Sequence, residues 1–116
     1  MLPKPHRIPS SDVRHVMRRG RRYDVGDISC RISQNDTARF RLAIIISSKV
    51  DKRATRRNRM RRLMSESVQH LLPRLKGGYD VVFMPKRGLP DEQEVVNEIV
   101  QHVFLRSDLL VLEKQG

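Results

Sequence analysis

One segment constrains this chain more than any other, because it changes from strongly basic to apolar halfway along. Residues 49–62 read KVDKRATRRNRMRR and hold eight Lys and Arg side chains against one acid, Asp51. Read as a helix at 100° per residue, the segment and its continuation place five apolar side chains on one face: Met60, Leu63, Met64, Val68 and Leu71. A packed core does not accept unpaired guanidinium groups. The first turns are therefore expected to project beyond the core or to lie against a polyanion.

The basic half also opposes the helix macrodipole, since anions rather than cations are favoured in the first turns, by roughly 0.3–1 kcal/mol each. A solvated charged face is the alternative interpretation. Such faces usually carry acids four residues from the cations, whereas Glu66 is the only acid on the helix proper. A ligand that supplies negative charge resolves both features, and phosphate is the obvious candidate.

The positive charge is local. The chain has 116 residues, enough for one domain, and a net charge of +11, yet residues 1–62 hold 18 of its 24 Lys and Arg. Such a surface indicates a nucleic acid or an anionic membrane. A membrane is disfavoured, because no apolar run reaches about 18 residues and the basic helix lacks the Trp- and Phe-rich apolar face of an interfacial anchor. Residues 1–11 lack the apolar core of a secretory signal. A single cysteine, Cys30, excludes a disulfide framework and fits a reducing cytoplasm.

The first half of the chain reads as leader, helix and hairpin. Three prolines make residues 1–9 an extended leader. Ser10 or Ser11 is the expected N-cap of a short helix over residues 12–19, which Gly20 ends. A second basic cluster follows at that end: Arg18, Arg19, Arg21 and Arg22.

Alternation over residues 28–33 predicts a half-buried strand, and a turn at residues 34–37 predicts a hairpin to a return strand over residues 40–46. Depending on register, Arg31, Arg39 and Arg41 lie on one exposed sheet face.

In the second half, Gly77 and Gly78 turn the chain into residues 79–84, apolar nearly throughout as in a central strand. Asp91 and Glu94 form the pattern of a capping box that opens a last helix. Its predicted buried face is Val95, Val96, Ile99, Val100 and Val103. Residues 105–116 extend that helix or form a tail.

Patterns for catalysis or metal binding are missing from the sequence. The four histidines are scattered without carboxylate or Cys partners at zinc-ligand spacing, and no Gly-rich phosphate loop precedes a helix. If the protein serves catalysis, another component is expected to supply the chemistry.

Residues 57–63, RNRMRRL, resemble the RNR motif of the bacterial ribonuclease P protein component. The resemblance continues in residues 2–4 with the region of Arg7, in residues 47–54 (SSKVDKRA) and in residues 77–82 (GGYDVV). Order and spacing agree from about residue 2 to residue 110. The resemblance implies an α+β sandwich in the order αβββαβα, a ribosomal protein S5 domain 2-like fold. Its left-handed βαβ crossover would contain the basic helix.

The resemblance further implies that residues 1–116 are one RNA-binding domain, the protein subunit of ribonuclease P, which removes the 5′ leader of precursor tRNA. In that family the RNA subunit is the catalyst, so no residue here is assigned a catalytic or metal-binding role. The Mg²⁺ that the holoenzyme requires is expected to be held mainly by RNA. Ribonuclease P RNA and precursor tRNA are the expected partners, without DNA or a membrane. Expected contacts with the catalytic RNA are Lys49, Lys52, Arg53, Arg56, Arg57, Asn58, Arg59, Arg61 and Arg62.

In the family, a cleft between sheet and helices holds the single-stranded leader, and the first helix usually presents a phenylalanine pair. This chain has Val13 and Met17 there, and a further expected aromatic falls near Cys30 and Arg31. Because stacking on an aromatic is worth roughly 1–3 kcal/mol per base, this cleft is expected to rely on charge and apolar contact. Its predicted residues are Val13, Met17, Ile28, Arg31 and Arg41. The alternative is that Val13 and Met17 are ordinary core residues.

Two other functions remain open. A general RNA-binding or ribosomal-type module would have the same fold without a processing role. A stand-alone nuclease belongs to a different class, and the missing acid cluster argues against it.

Overall fold

A computed structural model describes residues 2–111. Its helices are α1 (Ser10–Arg19), α2 (Ala54–Leu71) and α3 (Gln93–Arg106), and its strands are β1 (Arg21–Val25), β2 (Ile28–Gln34), β3 (Arg41–Ile44) and β4 (Tyr79–Pro85). Single turns of 3-10 helix lie at Lys4–His6 and Leu72–Arg74. Apart from these turns the element order is αβββαβα, as the resemblance implies.

The four strands form one sheet in the order β1-β2-β4-β3. β2 is antiparallel to β1 and β4, whereas β3 runs parallel to β4. β4 is therefore central, as predicted, and Val81, Val82 and Phe83 are completely buried. Parallel neighbours need a crossover connection, which α2 provides between β3 and β4. The left hand of this crossover stays a prediction.

The predicted hairpin between β2 and β3 is wrong. β2 instead forms a hairpin with β1, with Val25 opposite Ile28 and a turn at Gly26 and Asp27. β1 escaped prediction because two arginines and an aspartate leave it only two apolar residues, Tyr23 and Val25.

Contacts at the start of β4 show why β2 and β3 are kept apart. The Asn35 backbone N–H donates to Gly78 O (2.9 Å), and the Gly78 N–H donates to Arg39 O (3.1 Å). A Cβ at Gly77 would lie 2.1 Å from Ala38 O, and Gly78 has φ +84. Only glycines fit both positions without strain. The loop after β2 is thus held open by the entry of β4, whose two apolar faces require a place inside the sheet.

The two faces of the sheet are covered differently. One face packs against α2 and α3 and holds the main core, in which Cys30, Leu42, Met64, Phe83 and Phe104 are buried. The other face packs against α1 through a small cluster: Ile8, Val16 and Val82, with Val13, Met17, Ala43 and Met84 against it. The α1 face is the thinner layer and leaves more of the sheet accessible.

Most predicted core positions are confirmed. The five apolar residues of the α2 face are all buried, as are Ile28, Cys30 and Ile32 of β2. In α3 the buried face is Val96, Val100, Val103 and Phe104, whereas Val95 and Ile99 are half-buried.

The helices begin at positions other than those predicted. α1 starts from Pro9, so neither Ser10 nor Ser11 caps it. α2 begins at Ala54 rather than near Lys49, because side chains fold the preceding residues into turns. The Lys49 N–H donates to Ser47 Oγ at 3.1 Å.

The last helix also lacks the predicted cap. α3 begins at Gln93 without a side-chain cap, because the carboxylate of Asp91 pairs with Arg59 of α2 instead.

The leader is extended except for its single 3-10 turn and runs beside β3. The Ile8 N–H donates to Leu42 O (3.0 Å), and His6 Nδ1 lies 2.7 Å from Phe40 O. These contacts cover part of an otherwise open sheet edge.

After α3 the chain turns at Asp108, and Leu110 forms a bridge with Leu75. Residues 107–111 therefore do not continue the helix, and residues 112–116 lie outside the described part of the chain.

Candidate RNA interface

Helix α2 has two halves with different surroundings. In the basic half (residues 54–62), Arg56, Arg59 and Arg62 are exposed, and Arg57 and Arg61 are half-buried. In the anchored half (residues 63–71), four of the nine side chains are apolar and buried. Lys49, Lys52 and Arg53 are exposed in the loop before the helix. Because the first turn carries no acid, these cations add to the positive potential of the helix N-terminus.

The RNR triplet does not form a single patch. Arg57 is tied back to the preceding loop, since its Nη1 donates to Asp51 O (2.8 Å). Asn58 Oδ1 accepts a hydrogen bond from Arg61 Nη1 (2.7 Å). Arg59 pairs with Asp91, which precedes α3. The triplet therefore distributes hydrogen-bond donors over both sides of α2.

Asp51 organises the loop before α2. Its carboxylate accepts from the Arg53 N–H (2.9 Å) and from the Arg53 guanidinium (3.2 Å), and Arg56 Nε lies 3.8 Å away. The hydrogen bond from the Arg53 side chain, followed by that from its backbone N–H, lowers the pKa of Asp51. The ionised carboxylate thus orients two neighbouring arginines in the free protein.

A groove of about 570 Å³ runs between the leader, β3 and one side of α2. We call it the β3 groove. Its apolar lining comes from the leader and β3, and its polar lining comes from Arg7 and α2. The lining residues are Leu2, Arg7, Ile8, Leu42, Ala43, Ile44, Asn58, Arg61, Arg62, Ser65 and Glu66.

The chemistry of the β3 groove suits a single strand of nucleic acid. Arg7, Arg61 and Arg62 contribute three guanidinium groups, against one carboxylate from Glu66. Guanidinium groups can donate paired hydrogen bonds to a phosphate. Channels for single strands combine such cations with surfaces on which bases stack. Aliphatic side chains such as Ile8 and Ile44 line this groove, so apolar contact replaces stacking on aromatics.

The β3 groove continues toward α1. Ile8 and Ala43 line the groove and also belong to the small cluster against which Val13 and Met17 pack. Val13 and Met17 are half-buried, so each takes part in the core and keeps some accessible surface. Both interpretations of these residues from the sequence are therefore compatible with the structure.

Ile28, however, cannot line a cleft with Val13 and Met17. Its side chain is 0% exposed and lies in the main core, on the sheet face that packs against α2 and α3. The prediction is wrong because Ile28 shares its sheet face with Cys30, whereas α1 covers the opposite face.

Arg41 is engaged by acids of the protein itself. Its Nε and Nη2 donate to the two carboxylate oxygens of Asp80, both at 2.7 Å, and Nη2 lies 3.4 Å from Asp12 of α1. The hydrogen bond with Asp80 raises the pKa of Arg41. With 15% of its side chain exposed, Arg41 joins α1 to the sheet and is poorly placed to contact RNA.

The predicted common face of three arginines does not form. Arg39 is exposed in the loop before β3 rather than on a strand. Arg31 is half-buried in β2, and its Nη1 donates to Gly20 O at the end of α1 (3.4 Å).

A polar network fastens the anchored half of α2 to α3. Gln93 Nε2 donates to Leu63 O (2.8 Å) and Asn97 Oδ1 (2.9 Å), and it lies 3.1 Å from Ser67 Oγ. The hydroxyl of Ser67, which is 1% exposed, also contacts Asn97. Because this partly buried network joins two helices, it restricts the angle at which the basic half projects.

Sequence patterns did not point to Ile8, Ser65 or Glu66 as site residues, and Arg7 entered only through the family resemblance. These residues line one groove only because the leader lies along β3. The available signal was Ile8, an isolated apolar residue beside Pro9 in a basic leader, which indicates a segment held against the domain.

Within residues 2–111, no group of His, Cys, Asp and Glu side chains is arranged to hold a metal ion. In the same range no helix has the length and apolar character needed to cross a bilayer. Cys30 is buried, and this burial raises the pKa of its thiol to about 12.

Known proteins resemble this chain in sequence and in fold. Residues 2–106 match the family model described as Ribonuclease P. The ribonuclease P protein component of Synechococcus elongatus is 37% identical over 95 residues, 76% of each chain. That of another Synechococcus strain is 31% identical, covering 96% of this chain and 88% of the relative. A solved Staphylococcus aureus RNase P protein, a mutant with defective mRNA degradation activity, is similar in fold: TM-score 0.82, 19% identity and 92% of each chain.

Proposed function

The chain belongs to the ribonuclease P protein family, and from this premise we propose how it acts as the protein subunit of that enzyme. It binds the catalytic RNA through the loop before α2 and through the side of the basic half that carries Arg56 and Arg59. It binds the 5′ leader of precursor tRNA in the β3 groove. By holding both RNAs it assists endonucleolytic removal of the leader, in the cytoplasm.

The observation that carries this proposal is the division of α2. The anchored half is buried between the sheet and α3, and the basic half presents its cations on two sides of the helix. One side, with Asn58, Arg61 and Arg62, borders the β3 groove. The other, with Arg56 and Arg59, faces the segment before α3. One rigid helix can therefore contact two RNA strands at the same time.

The leader would lie along the β3 groove toward α1. Arg7, Arg61 and Arg62 would hold its phosphates, while Ile8, Val13 and Met17 offer apolar contact to its bases. Arg41 positions α1 through Asp12 and Asp80, and Arg31 lies beneath the end of the same helix. We therefore assign these two arginines to support of the cleft.

The chemical step belongs to the RNA subunit in this proposal. When bound, Mg²⁺ would supply the activated water and stabilise charge in phosphodiester hydrolysis. The described residues offer no cluster of acids to hold it, so RNA phosphates are its expected ligands. The protein contributes positive charge, which lowers the repulsion between two polyanions and reduces the Mg²⁺ concentration needed.

The test is cleavage of precursor tRNA at low Mg²⁺ by a closely related ribonuclease P RNA, with and without this protein. We expect stimulation only from the pair, with the correct 5′ end, and no cleavage by the protein alone. Tight RNA binding without stimulation would favour a general RNA-binding module. Cleavage by rigorously RNA-free protein would favour a stand-alone nuclease.

Separate substitutions test the two surfaces. Arg59→Ala should weaken assembly with the catalytic RNA and leave the ratio of precursor to mature tRNA affinity unchanged. Arg7→Ala should reduce that ratio while assembly stays intact. If Arg7→Ala lowers the affinity for precursor and mature tRNA equally, the leader does not bind in the β3 groove.

A further inference from the structure

One side of α2 forms a polar wall of the β3 groove. Its residues recur at intervals of three and four along the helix, and they are Asn58, Arg61, Arg62, Ser65 and Glu66. Among the described residues that line the groove, Glu66 is the one acid. It follows Arg62 by four residues, or roughly 6 Å along the helix axis. The wall therefore places a carboxylate next to the guanidinium groups that would hold the phosphates of the leader.

Neither helix stability nor binding of phosphate accounts for a carboxylate at this position. An ion pair with Arg62, four residues earlier, would have the less favourable order of charges on a helix surface. A carboxylate beside a phosphate of the leader would be repelled by it, since both are anions. The position of Glu66 in a groove for a polyanion therefore points to another part of the RNA, the bases.

A carboxylate distinguishes the four RNA bases by their hydrogen-bond donors. When ionised it only accepts hydrogen bonds, through two oxygens. Guanine presents two adjacent donors, N1–H and the N2 amino group, which match these two oxygens. In adenine and cytosine the amino group adjoins an acceptor nitrogen, and in uracil the N3–H lies between two carbonyl oxygens. Because these edges are accessible in a single strand, a carboxylate favours guanine there.

We propose that Glu66 is a specificity-determining residue, which accepts paired hydrogen bonds from a guanine base of the leader. The proposal rests on the proposed function, because it requires the leader to lie in the β3 groove. Arg62 would hold a phosphate, and Glu66, one turn further along α2, would face the base of a nearby nucleotide. The side chain of Glu66 is exposed, so its carboxylate can reach a base without any change in the core.

The wall opposite α2 also suits a base better than a phosphate. It includes the apolar side chains of Leu2, Ile8 and Ile44, which come from the leader and from β3. A base that packs against them excludes water from its own edge, and hydrogen bonds are stronger where the local dielectric constant is low. A phosphate against the same side chains would lose its hydration without gaining a cation.

The test measures how tightly assembled holoenzyme binds precursor tRNAs that differ at one leader nucleotide. Each leader consists of uridines, with guanosine, adenosine or cytidine placed at one position in turn. Wild-type protein is compared with Glu66→Gln and with Glu98→Gln, which changes an exposed acid of α3 outside the groove. Removal of a negative charge should raise affinity for all leaders alike, so this effect cancels in the ratio between two bases.

We expect wild-type protein and Glu98→Gln to prefer guanine at one leader position, by a factor of about five or more. Glu66→Gln should lose this preference and prefer adenine at the same position, because an amide can pair with N6 and N7 of adenine. A guanine preference that survives Glu66→Gln would overturn the proposal. Equal binding of all four bases by the wild type would also overturn it.

Failure of the proposed function gives a different result. If the leader does not lie in the β3 groove, Arg7→Ala lowers the affinity for precursor and mature tRNA equally. If only the role of Glu66 is wrong, Arg7→Ala still acts on precursor tRNA alone, while the base preference does not respond to Glu66→Gln.

Discussion

The two halves of α2 show how one helix can serve both stability and binding. In the anchored half, Met64 and Val68 are 0% exposed, and Ser67 joins the network with α3. In the basic half, Met60 is the one buried residue. Arginines around it point to both sides of the helix. The anchored half thus supports a positively charged extension that the core could not accommodate.

This contrast teaches that burial and charge are separated along the helix axis rather than around it. An ordinary amphipathic helix places its polar face opposite its apolar face over its whole length. Here the apolar face continues for only about three turns, and beyond it the same face carries Arg56 and Arg57. Substitutions in the two halves should therefore affect different measurements.

The largest expected effect is in the anchored half. Met64→Ala removes a completely buried side chain between α2 and the sheet, and such truncations cost about 2–5 kcal/mol. Urea unfolding should show this loss, whereas Arg62→Ala in the basic half should stay within about 0.5 kcal/mol of the wild type. Comparable destabilisation by both substitutions would mean that the basic half is part of the core.

High pH should lower the free energy of unfolding by favouring ionisation of a buried thiol under the anchored half, while the arginines stay protonated. Burial raises the pKa of Cys30 to about 12 from an unperturbed 9.0. Since the folded-state pKa is the higher one, its contribution to stability is complete below pH 9 and is lost as pH rises toward 12, by about 1.4 kcal/mol per unit. Arginine stays protonated in this range.

The measurement is urea unfolding of wild-type protein and Cys30→Ala between pH 8 and about pH 10.5. The free energy of unfolding of the wild type should fall more steeply than that of the variant once pH exceeds about 9. Parallel curves would show that the thiol is not held in its protonated form by the fold.

The periodicity of the sequence predicted the contrast within α2, because that contrast depends only on consecutive residues of one helix. The same holds for the central place of β4, whose residues are apolar on both faces. The pairing of β2 could not be predicted in the same way. It depends on a contact between segments about 40 residues apart. Gly77 and Gly78 fit between the two ends of the loop after β2, and β4 therefore enters the sheet next to β2.

The residues of the candidate site also differ in whether consecutive residues or contacts between distant segments determine their place. The arginines of α2 were identified from local sequence alone. The β3 groove was not, because one of its walls is the leader, and the leader is held beside β3 by contacts of His6 with Phe40 O and of Ile8 with Leu42 O. The ion pair of Arg41 was not predicted, because its partner Asp80 lies in β4, about 40 residues along the chain. Contacts between strands thus decide what local patterns leave open in the site.

Loss of one arginine from the basic half should change RNA binding by a moderate amount. Arg62→Ala removes an exposed guanidinium at the β3 groove. The slope of log K against log salt for binding of precursor tRNA should therefore decrease by about 0.7–0.9. Arg106→Ala, which removes an exposed arginine from the end of α3, is the matched control. Unchanged salt dependence with Arg62→Ala would show that Arg62 does not contact the RNA.

The smallest effect should have the opposite sign and comes from the acid that faces the basic half. Asp91 pairs with Arg59, and both side chains are about half exposed. Exposed pairs contribute about 0.2–1 kcal/mol, so Asp91→Asn should leave stability almost unchanged. It frees Arg59 and removes one negative charge beside α2, so affinity for catalytic RNA should rise, by a factor of up to about five at low salt.

Asp108→Asn is the control for this change, because it removes an exposed acid beyond the other end of α3. That helix has 14 residues, which places Asp108 roughly 21 Å or more from Asp91. At such a distance salt screens the charge, so Asp108→Asn should not alter RNA affinity. If Asp91→Asn weakens binding instead, the pair orients Arg59 for RNA rather than competing with it. The basic half would then depend on α3 as much as the anchored half does.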